Sequence, residues 1–370
     1  MRYLFTLGLV VGIQYSNPVM ALAPSVGQIL NESQNQFPSI YLPSVGYRPA
    51  PSFTLIESNE DSPKLSVEGV TFSGNDSISD EALQTAFAPY VKRELSPKQV
   101  YALTDLIKYI YEQNDQMAVA TVPKQDVSAG IVRFDIREST FDGVELDHAF
   151  EDHFNVPLDR IEAIATQDTK INDPIILSEI RRGHLLAIDL HGVAVSGGIH
   201  PSSDNGQQLE LWVENSDRVV SELTLDNQAK QELGSVKATL NTLIASPTQR
   251  GGAAYFSAIK SEGLSYASLA YRGPAGLRGA TFDLQFGRLD YTLTSNPFDV
   301  TQPTGDATSA SLGYRVPVLR TLPHNLFVTL MVERETLREK HRQAGMWSVT
   351  KDYHVDTLDL TLDGNKATYH

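Results

Sequence analysis

Two α+β modules followed by an all-β half is the architecture this sequence predicts, and three observations predict it. The stretch Leu65–Arg137 reads as strand, turn, two amphipathic helices and two more strands. Residues 140–216 repeat that order less regularly. Near residue 218 the helical stripes stop, and alternation of apolar and polar residues takes over.

Composition sets the outer bounds. A chain of 370 residues suits two or three domains. The formal net charge of −15, with no basic run longer than Arg181-Arg182, argues against nucleic acid as a partner, because phosphate neutralisation needs clustered Lys and Arg. The absence of cysteine excludes disulfides, thiolate zinc sites and cysteine nucleophiles. No apolar run of about 18 residues follows the N-terminus, so no membrane-spanning helix is expected. A transmembrane barrel remains open, because lipid-facing and lumen-facing residues alternate and the mean hydropathy looks soluble.

Residues 1–23 read as a secretory leader. Arg2 supplies the positive start, Tyr3–Ile13 the apolar core, and Ala21-Leu22-Ala23 a small-x-small cleavage site before Pro24. Residues 24–63 carry Pro38, Pro43, Pro49, Pro51 and Pro63 among Asn, Gln and Ser, which is linker composition. Within them, Val26–Gln34 is long enough for one or two helical turns.

The first module covers residues 64–139. After the turn Ser73-Gly74-Asn75-Asp76, residues Leu83, Ala86, Phe87, Tyr90 and Val91 share one helical face. Ser96-Pro97-Lys98-Gln99 opens a second helix, with a serine cap, a proline at the first helical position and a capping-box Gln. Val100, Leu103, Ile107, Ile110 and Tyr111 continue its stripe. Ala118–Val122 is a short β-prone run stopped by Pro123. Ile131–Arg137 alternates Val132, Phe134 and Ile136 with charged residues, giving a strand with one buried face.

These residues resemble a POTRA domain of the kind found in two-partner secretion transporters, the haemolysin secretion/activation relatives of the Omp85 superfamily. The resemblance rests on Gly74-Asn75 after the first strand, Tyr111 ending the second helix, and Pro123-Lys124-Gln125-Asp126 followed by Gly130 before the last strand. It implies tandem POTRA domains, so residues 140–216 are expected to be a second one. There Val144 and Leu146 alternate, and helical patterns cover Leu158–Ala165 and Ser178–Leu190, the latter interrupted by Gly183. Val193 and Val195 precede a Gly197-Gly198 turn, and a strand follows over Leu209–Val213.

Residues 217–370 hold about eight strand candidates of roughly the length a tilted membrane strand needs. Alternation alone does not separate a soluble β-sandwich from a membrane barrel. The resemblance of "LTLDNQ" at Leu223–Gln228 and "SYASLAYRGPAGLRG" at Ser265–Gly279 to the opening hairpins of the secretion barrel favours the barrel. The expected fold class is therefore α+β POTRA domains (β-α-α-β-β) followed by an antiparallel transmembrane β-barrel region with about half the family's strands. The family's pore-loop tetrapeptide, Val-Arg-Gly-Tyr or Val-Arg-Gly-Phe, does not occur, and Lys366–His370 does not read as a closing strand. The expectation is a truncated transporter or a fragment of a longer product.

No His-Glu-x-x-His, Gly-x-Ser-x-Gly or phosphate loop occurs, so no enzyme, cofactor or small-molecule substrate is expected. His148 and His153 among acidic neighbours read as a solvated loop rather than a metal site. The resemblance implies a transporter in the outer membrane of a Gram-negative bacterium, with its POTRA domains in the periplasm. Its expected partners are membrane lipid and a secreted haemolysin- or adhesin-type exoprotein, engaged through that protein's N-terminal secretion domain. The candidate binding site is the strand edge Met117–Val122, with Met117, Val119 and Thr121, against a helix groove lined by Leu103, Ile107 and Ile110. The alternative is a periplasmic binding module with a soluble β domain and no pore.

Overall fold

The computed structural model describes residues 5–8, 26, 29–30, 53–55, 63–148, 153–203, 205–227, 230–294, 302–343 and 346–366. The leader apart from Phe5–Gly8, most of the 24–63 extension, residues 295–301 and residues 367–370 lie outside this set.

After β1 (Phe5–Gly8), the first module comprises β2 (Leu65–Val67), β3 (Gly69–Ser73), α1 (Asp80–Phe87), β4 (Arg93–Leu95), α2 (Pro97–Gln113), β5 (Ala118–Thr121) and β6 (Ile131–Glu138). Ser79 caps α1 by accepting from the Ala82 N–H. At α2, the Ser96 hydroxyl accepts from the Gln99 N–H while the Gln99 amide oxygen accepts from the Ser96 N–H, so two orphan donors are satisfied reciprocally. The apolar stripe expected of one helix over 83–91 is split. Pro89 turns Ala88–Tyr90 into a 3₁₀ turn, from which Tyr90 and Val91 still pack on the core. The sheet order is β3-β6-β5, with β3 parallel and β5 antiparallel to β6. Phe72, Phe87 and Phe134 meet at centroid separations of 5.1–6.1 Å between sheet and helices.

The second module repeats this topology. It runs β7 (Thr140–His148), α3 (Leu158–Ala165), α4 (Leu177–Ile188), β8 (Val193–Pro201) and β9 (Gly206–Asn215), in sheet order β7-β9-β8. Gly183 does not break α4. It lets the helix approach α3, since a Cβ there would lie 2.0 Å from the Ala165 carbonyl oxygen. The turn expected at Gly197-Gly198 is instead mid-strand in β8. At Gly197, φ +152°, a Cβ would lie 2.0 Å from the Glu210 carbonyl oxygen, so the glycine permits strand contact rather than chain reversal. The reversal comes later, where the Ser202 N–H donates to the Gly206 carbonyl.

Eight strands follow as an antiparallel meander: β10 (Val219–Asp226), β11 (Lys237–Ala245), β12 (Ala253–Ser261), β13 (Leu264–Pro274), β14 (Thr281–Thr292), β15 (Thr304–Arg320), β16 (His324–Gln343) and β17 (Met346–Lys366). β1 pairs with the far edge of β17. The sheet is not closed: among the described residues, β10 pairs only with β11.

The register sorts the two faces. Phe256, Leu269 and Phe286 fall on one row with Thr242. Leu312, Val332 and Leu358 form another, and Tyr314, Leu330 and Leu360 a third. The large side chains of these rows are exposed. A contiguous apolar face of this extent suits a hydrocarbon neighbour rather than water. Two residues beyond Val332 and Leu358, the rows turn ionic with Arg334–Asp356, then Arg338–Asp352. The opposite face carries Asn241, Ser257, Ser268 and Ser309 beside a buried cluster of Ile259, Tyr266, Leu289, Tyr291 and Leu337.

Candidate functional site

The family-like residues of the first module fall into two sets. One is structural. Tyr111 ends α2 fully buried, and its hydroxyl donates to Glu138 at 2.8 Å. Glu138 also accepts from the Ser77 N–H and hydroxyl, at 2.7 and 2.6 Å. Burial, and then the Glu138 carboxylate, push the Tyr111 phenol above its ordinary range. Gly74, φ +80°, brings the chain against the Ile136 carbonyl, and the Asn75 amide donates to the Ile78 carbonyl and Asp80. Together they tie the β3–α1 turn to the end of β6.

The second set shapes the sheet edge. Pro123 ends β5 while β6 still has backbone groups to satisfy. The Gln125 side-chain amide does so: it donates to the Arg133 carbonyl at 2.8 Å and accepts from the Arg133 N–H at 2.7 Å. A primary amide here substitutes for a peptide group of the missing strand. Among the described residues no strand pairs with the outer side of β5, so the open part of the edge is β5 itself. The Ser139 N–H donates to the Met117 carbonyl at 2.9 Å, which fixes the phase of the ladder. Alternation then points the Met117, Val119 and Thr121 backbone groups at β6, and those of Ala118, Ala120 and Val122 at the free edge.

The predicted site residues divide accordingly. Val119 is half-buried and Thr121 exposed on β5, but they pair with Arg137 and Asp135 on the face of the sheet away from α2, whereas half-buried Ile110 packs on the core side with Ala120 and Val122. Leu103 and Ile107, at 1% and 0% exposure, are core residues rather than groove lining, because their stripe faces the sheet centre. The Met117 side chain packs against the second module's core, so it belongs to the joint between modules and not to the edge. The sequence reading missed what else forms that joint. Asp115, φ +63°, accepts from the Ser178 N–H at 2.8 Å and from the Ser178 hydroxyl, while its carbonyl accepts from the Leu177 N–H at 2.9 Å. α4 has no side-chain cap of its own at Ile176, so the first module supplies one.

The second module docks on the turns at one end of the large sheet. Arg320, 7% exposed, donates to both Asp189 oxygens at 2.7 and 2.8 Å and to Asn325 at 2.9 Å. Asp168 holds Arg182 and Arg278 at 3.3 and 3.2 Å. The His191 N–H donates to the Gly251 carbonyl. A cavity of about 330 Å³ lies in this junction, with Leu186, Leu190, His191, Arg272 and Arg315 on its walls. Burial, reinforced by Arg272, lowers the His191 imidazole below its ordinary value, and burial alone lowers His184. On the sheet's inner face, Val26, Ile29 and Leu30 are buried against Leu233, Leu289 and Leu337, and the Val26 N–H donates to Glu339 at 3.0 Å. No group of three or more His, Cys, Asp or Glu able to hold a metal occurs among the described residues.

Comparison with known proteins gives this geometry a context. Residues 65–139 match the family model "POTRA domain, ShlB-type". The chain is similar in structure to CdiB from Escherichia coli, with TM-score 0.63, 15% identity, and coverage of 92% of this chain and 63% of that one. It is likewise similar to CdiB from Acinetobacter baumannii, with TM-score 0.56, 13% identity, and coverage of 93% and 66%. The chain thus spans just under two thirds of the length of each. No curated protein sequence matched. Residues 65–139 are accordingly a POTRA domain of the ShlB type, set in a chain that has the CdiB fold.

Proposed function

We propose that this chain serves in two-partner secretion, as an outer-membrane transporter whose periplasmic modules receive an extended exoprotein and hand it to the barrel. In this reading residues 140–216 are a second POTRA domain and residues 217–370 are barrel strands. A haemolysin- or adhesin-type passenger, engaged through its N-terminal secretion domain, is the expected cargo. The observation that carries the reading is an unpaired POTRA strand edge ahead of a sheet whose outer face is apolar. Strand addition to such an edge recognises a main chain without demanding a sequence, which suits unfolded cargo.

Ala120 gives the sharpest test. Its N–H points outward, so Ala120→Pro removes one edge donor and leaves the β5–β6 ladder intact. One net hydrogen bond, about 0.5–1.5 kcal/mol, corresponds to cargo binding weaker by roughly 2- to 13-fold. Val119→Glu and Thr121→Glu add a charge beside the same edge. Cargo binding and secretion unchanged in all three variants would refute the β5 site. The pore-free alternative predicts a protein that dissolves without detergent and lacks heat-modifiable gel mobility. The exposed apolar rows on β12–β17 argue against it.

A further inference from the structure

The second module has a longer unpaired edge than the first, and one face of its sheet is unlike the rest of the molecule. β8 runs for nine residues, and among the described residues no strand pairs with its outer side. The Ser216 N–H donates to the Gly192 carbonyl, so the backbone groups of Val193, Val195, Gly197 and Ile199 face outward. No Lys or Pro guards this edge before Pro201, and no charged residue interrupts it.

The helix-facing side of the sheet is core: Val193, Val195, Leu209, Leu211 and Val213. The other side is open. Its rows run Glu145–Glu210–Gly198 and Asp147–Trp212–Ser196, followed by Glu214–Ala194. Two carboxylates, Glu145 and Glu210, stand directly opposite each other, an arrangement that costs stability. The Trp212 indole, 39% exposed, is held by its Nε1–H to Glu214 at 2.7 Å. Among the described residues no Lys or Arg pairs with any of the four acids. The nearest base is His200, 3.8 Å from Glu210. On β8 the facing residues Ala194, Ser196 and Gly198 are all small, and the one larger side chain on that floor is His200, whose imidazole lies beside Gly198 and near Glu210.

We propose that the β8 edge takes an extended polypeptide segment carrying Lys or Arg at alternate positions. A strand added to β8 lies two strand spacings, roughly 9.6 Å, from β9. Every second side chain then lies over Ala194, Ser196 and Gly198. A long cationic side chain crosses that low floor to meet Glu210 or Glu214, and it finds the Trp212 face for a cation–π contact. The intervening side chains of the added strand turn toward the helix side, beside Val195 and Ile199. The edge also leads somewhere. Gly192 immediately precedes β8, and a Cβ there would sit 2.8 Å from Ser246 Cβ in the β11–β12 turn, so a docked segment runs along the module to the base of the large sheet. That this segment belongs to the cargo rests on the transporter reading; the chemistry of the segment does not.

Trp212 is its own reporter. The chain has two tryptophans, and Trp347→Phe leaves Trp212 alone. The test titrates the detergent-solubilised chain with a short capped peptide alternating Lys and Thr, and with its Glu–Thr counterpart. The expected result is saturable change in Trp212 emission with the Lys peptide, at least tenfold tighter than with the Glu peptide and weakened by salt. Glu210→Gln with Glu214→Gln should lower that affinity about tenfold. Gly198→Lys should abolish it by occupying the trough, whereas Gly198→Ala should bind like the parent, since a Cβ there meets only His200 Nε2 at 3.7 Å. Ile199→Pro, which deletes one outward N–H, should weaken binding of the Lys peptide. A flat titration, equal affinity for both peptides, or binding indifferent to Gly198→Lys overturns the proposal. If the peptide fails while Ala120→Pro still impairs secretion, this inference falls and the transporter reading stands. If the peptide binds as expected but secretion ignores both edges, the reverse holds.

Discussion

The Asp189–Arg320 pair at the junction makes an asymmetric prediction. Arg320 is 7% exposed and donates two charge-assisted hydrogen bonds to Asp189, whose own side chain is 20% exposed. Asp189→Ala leaves a guanidinium buried with only Asn325 to satisfy it. Stranding a buried charge in this way costs about 3–5 kcal/mol. Arg320→Ala leaves a carboxylate that water can reach, and the loss should stay near the about 1.5–3 kcal/mol of the charged hydrogen bonds themselves. The double variant removes the stranded charge and should recover part of the larger loss. The readout is hydrogen exchange at the His191 N–H, which donates to the Gly251 carbonyl across the same junction. Asp189→Ala should speed its exchange by roughly two to four decades, and Arg320→Ala by clearly less. Equal acceleration in the two single variants, or strict additivity in the double, would refute the assignment of this pair as the junction's buried clamp.

Three further outcomes follow from named contacts. Gln125→Ala should destabilise the first module by about 1–2 kcal/mol and speed exchange of the Arg133 N–H, while Gln125→Glu, able to accept but not donate, should restore less than half; chemical denaturation and exchange check both. Gly183→Ala should lower stability by about 1–3 kcal/mol through the α3–α4 crossing, seen as a lower denaturation midpoint for the second module, although alanine is the better helix former. His191 is depressed by burial and faces Arg272, Tyr255 and Asp189. Its folded value lies below the free-imidazole value of about 6.5, so its contribution is complete above that pH and is lost as pH falls through the depressed value. A pH titration of junction opening should show this loss in acid, and His191→Gln should flatten it.

Much of the fold was legible because burial writes a period into the chain. Ser96 to Gln99 announced α2, and Val132, Phe134 and Ile136 announced β6, each through local chemistry that tertiary contacts did not override. The strands β10 to β15 show as alternation because large apolar side chains gather on one face and small or polar ones on the other. β16 and β17 run for 20 and 21 residues, about twice the length expected of each strand. Beyond Val332 and Leu358 one face turns ionic with Arg334, Arg338, Asp352 and Asp356, and the other mixes Glu333, Glu335 and Glu339 with Leu337, Tyr353 and Val355, so the apolar residues are too sparse to mark a period. The candidate site was legible in part. Pro123 located the end of β5, but spacing did not separate Leu103 and Ile107, which fill the core, from Ile110 at its margin. The joint was illegible because Asp115 and Ser178 are 63 residues apart and neither carries a local signature. Trp212 lies between the apolar Leu211 and Val213 in sequence, and only the register revealed its four acidic neighbours.

The loan of Asp115 to its neighbour's helix has a consequence for how such chains can be rearranged. The two α+β modules are not interchangeable beads. Moved alone into another chain, the second would arrive with the first turn of α4 unfinished, and a one-residue insertion between Gln113 and Gln116 would have the same effect without touching either core. Any lineage that shortens, duplicates or swaps these modules has to rebuild that single contact, or accept a joint that swings.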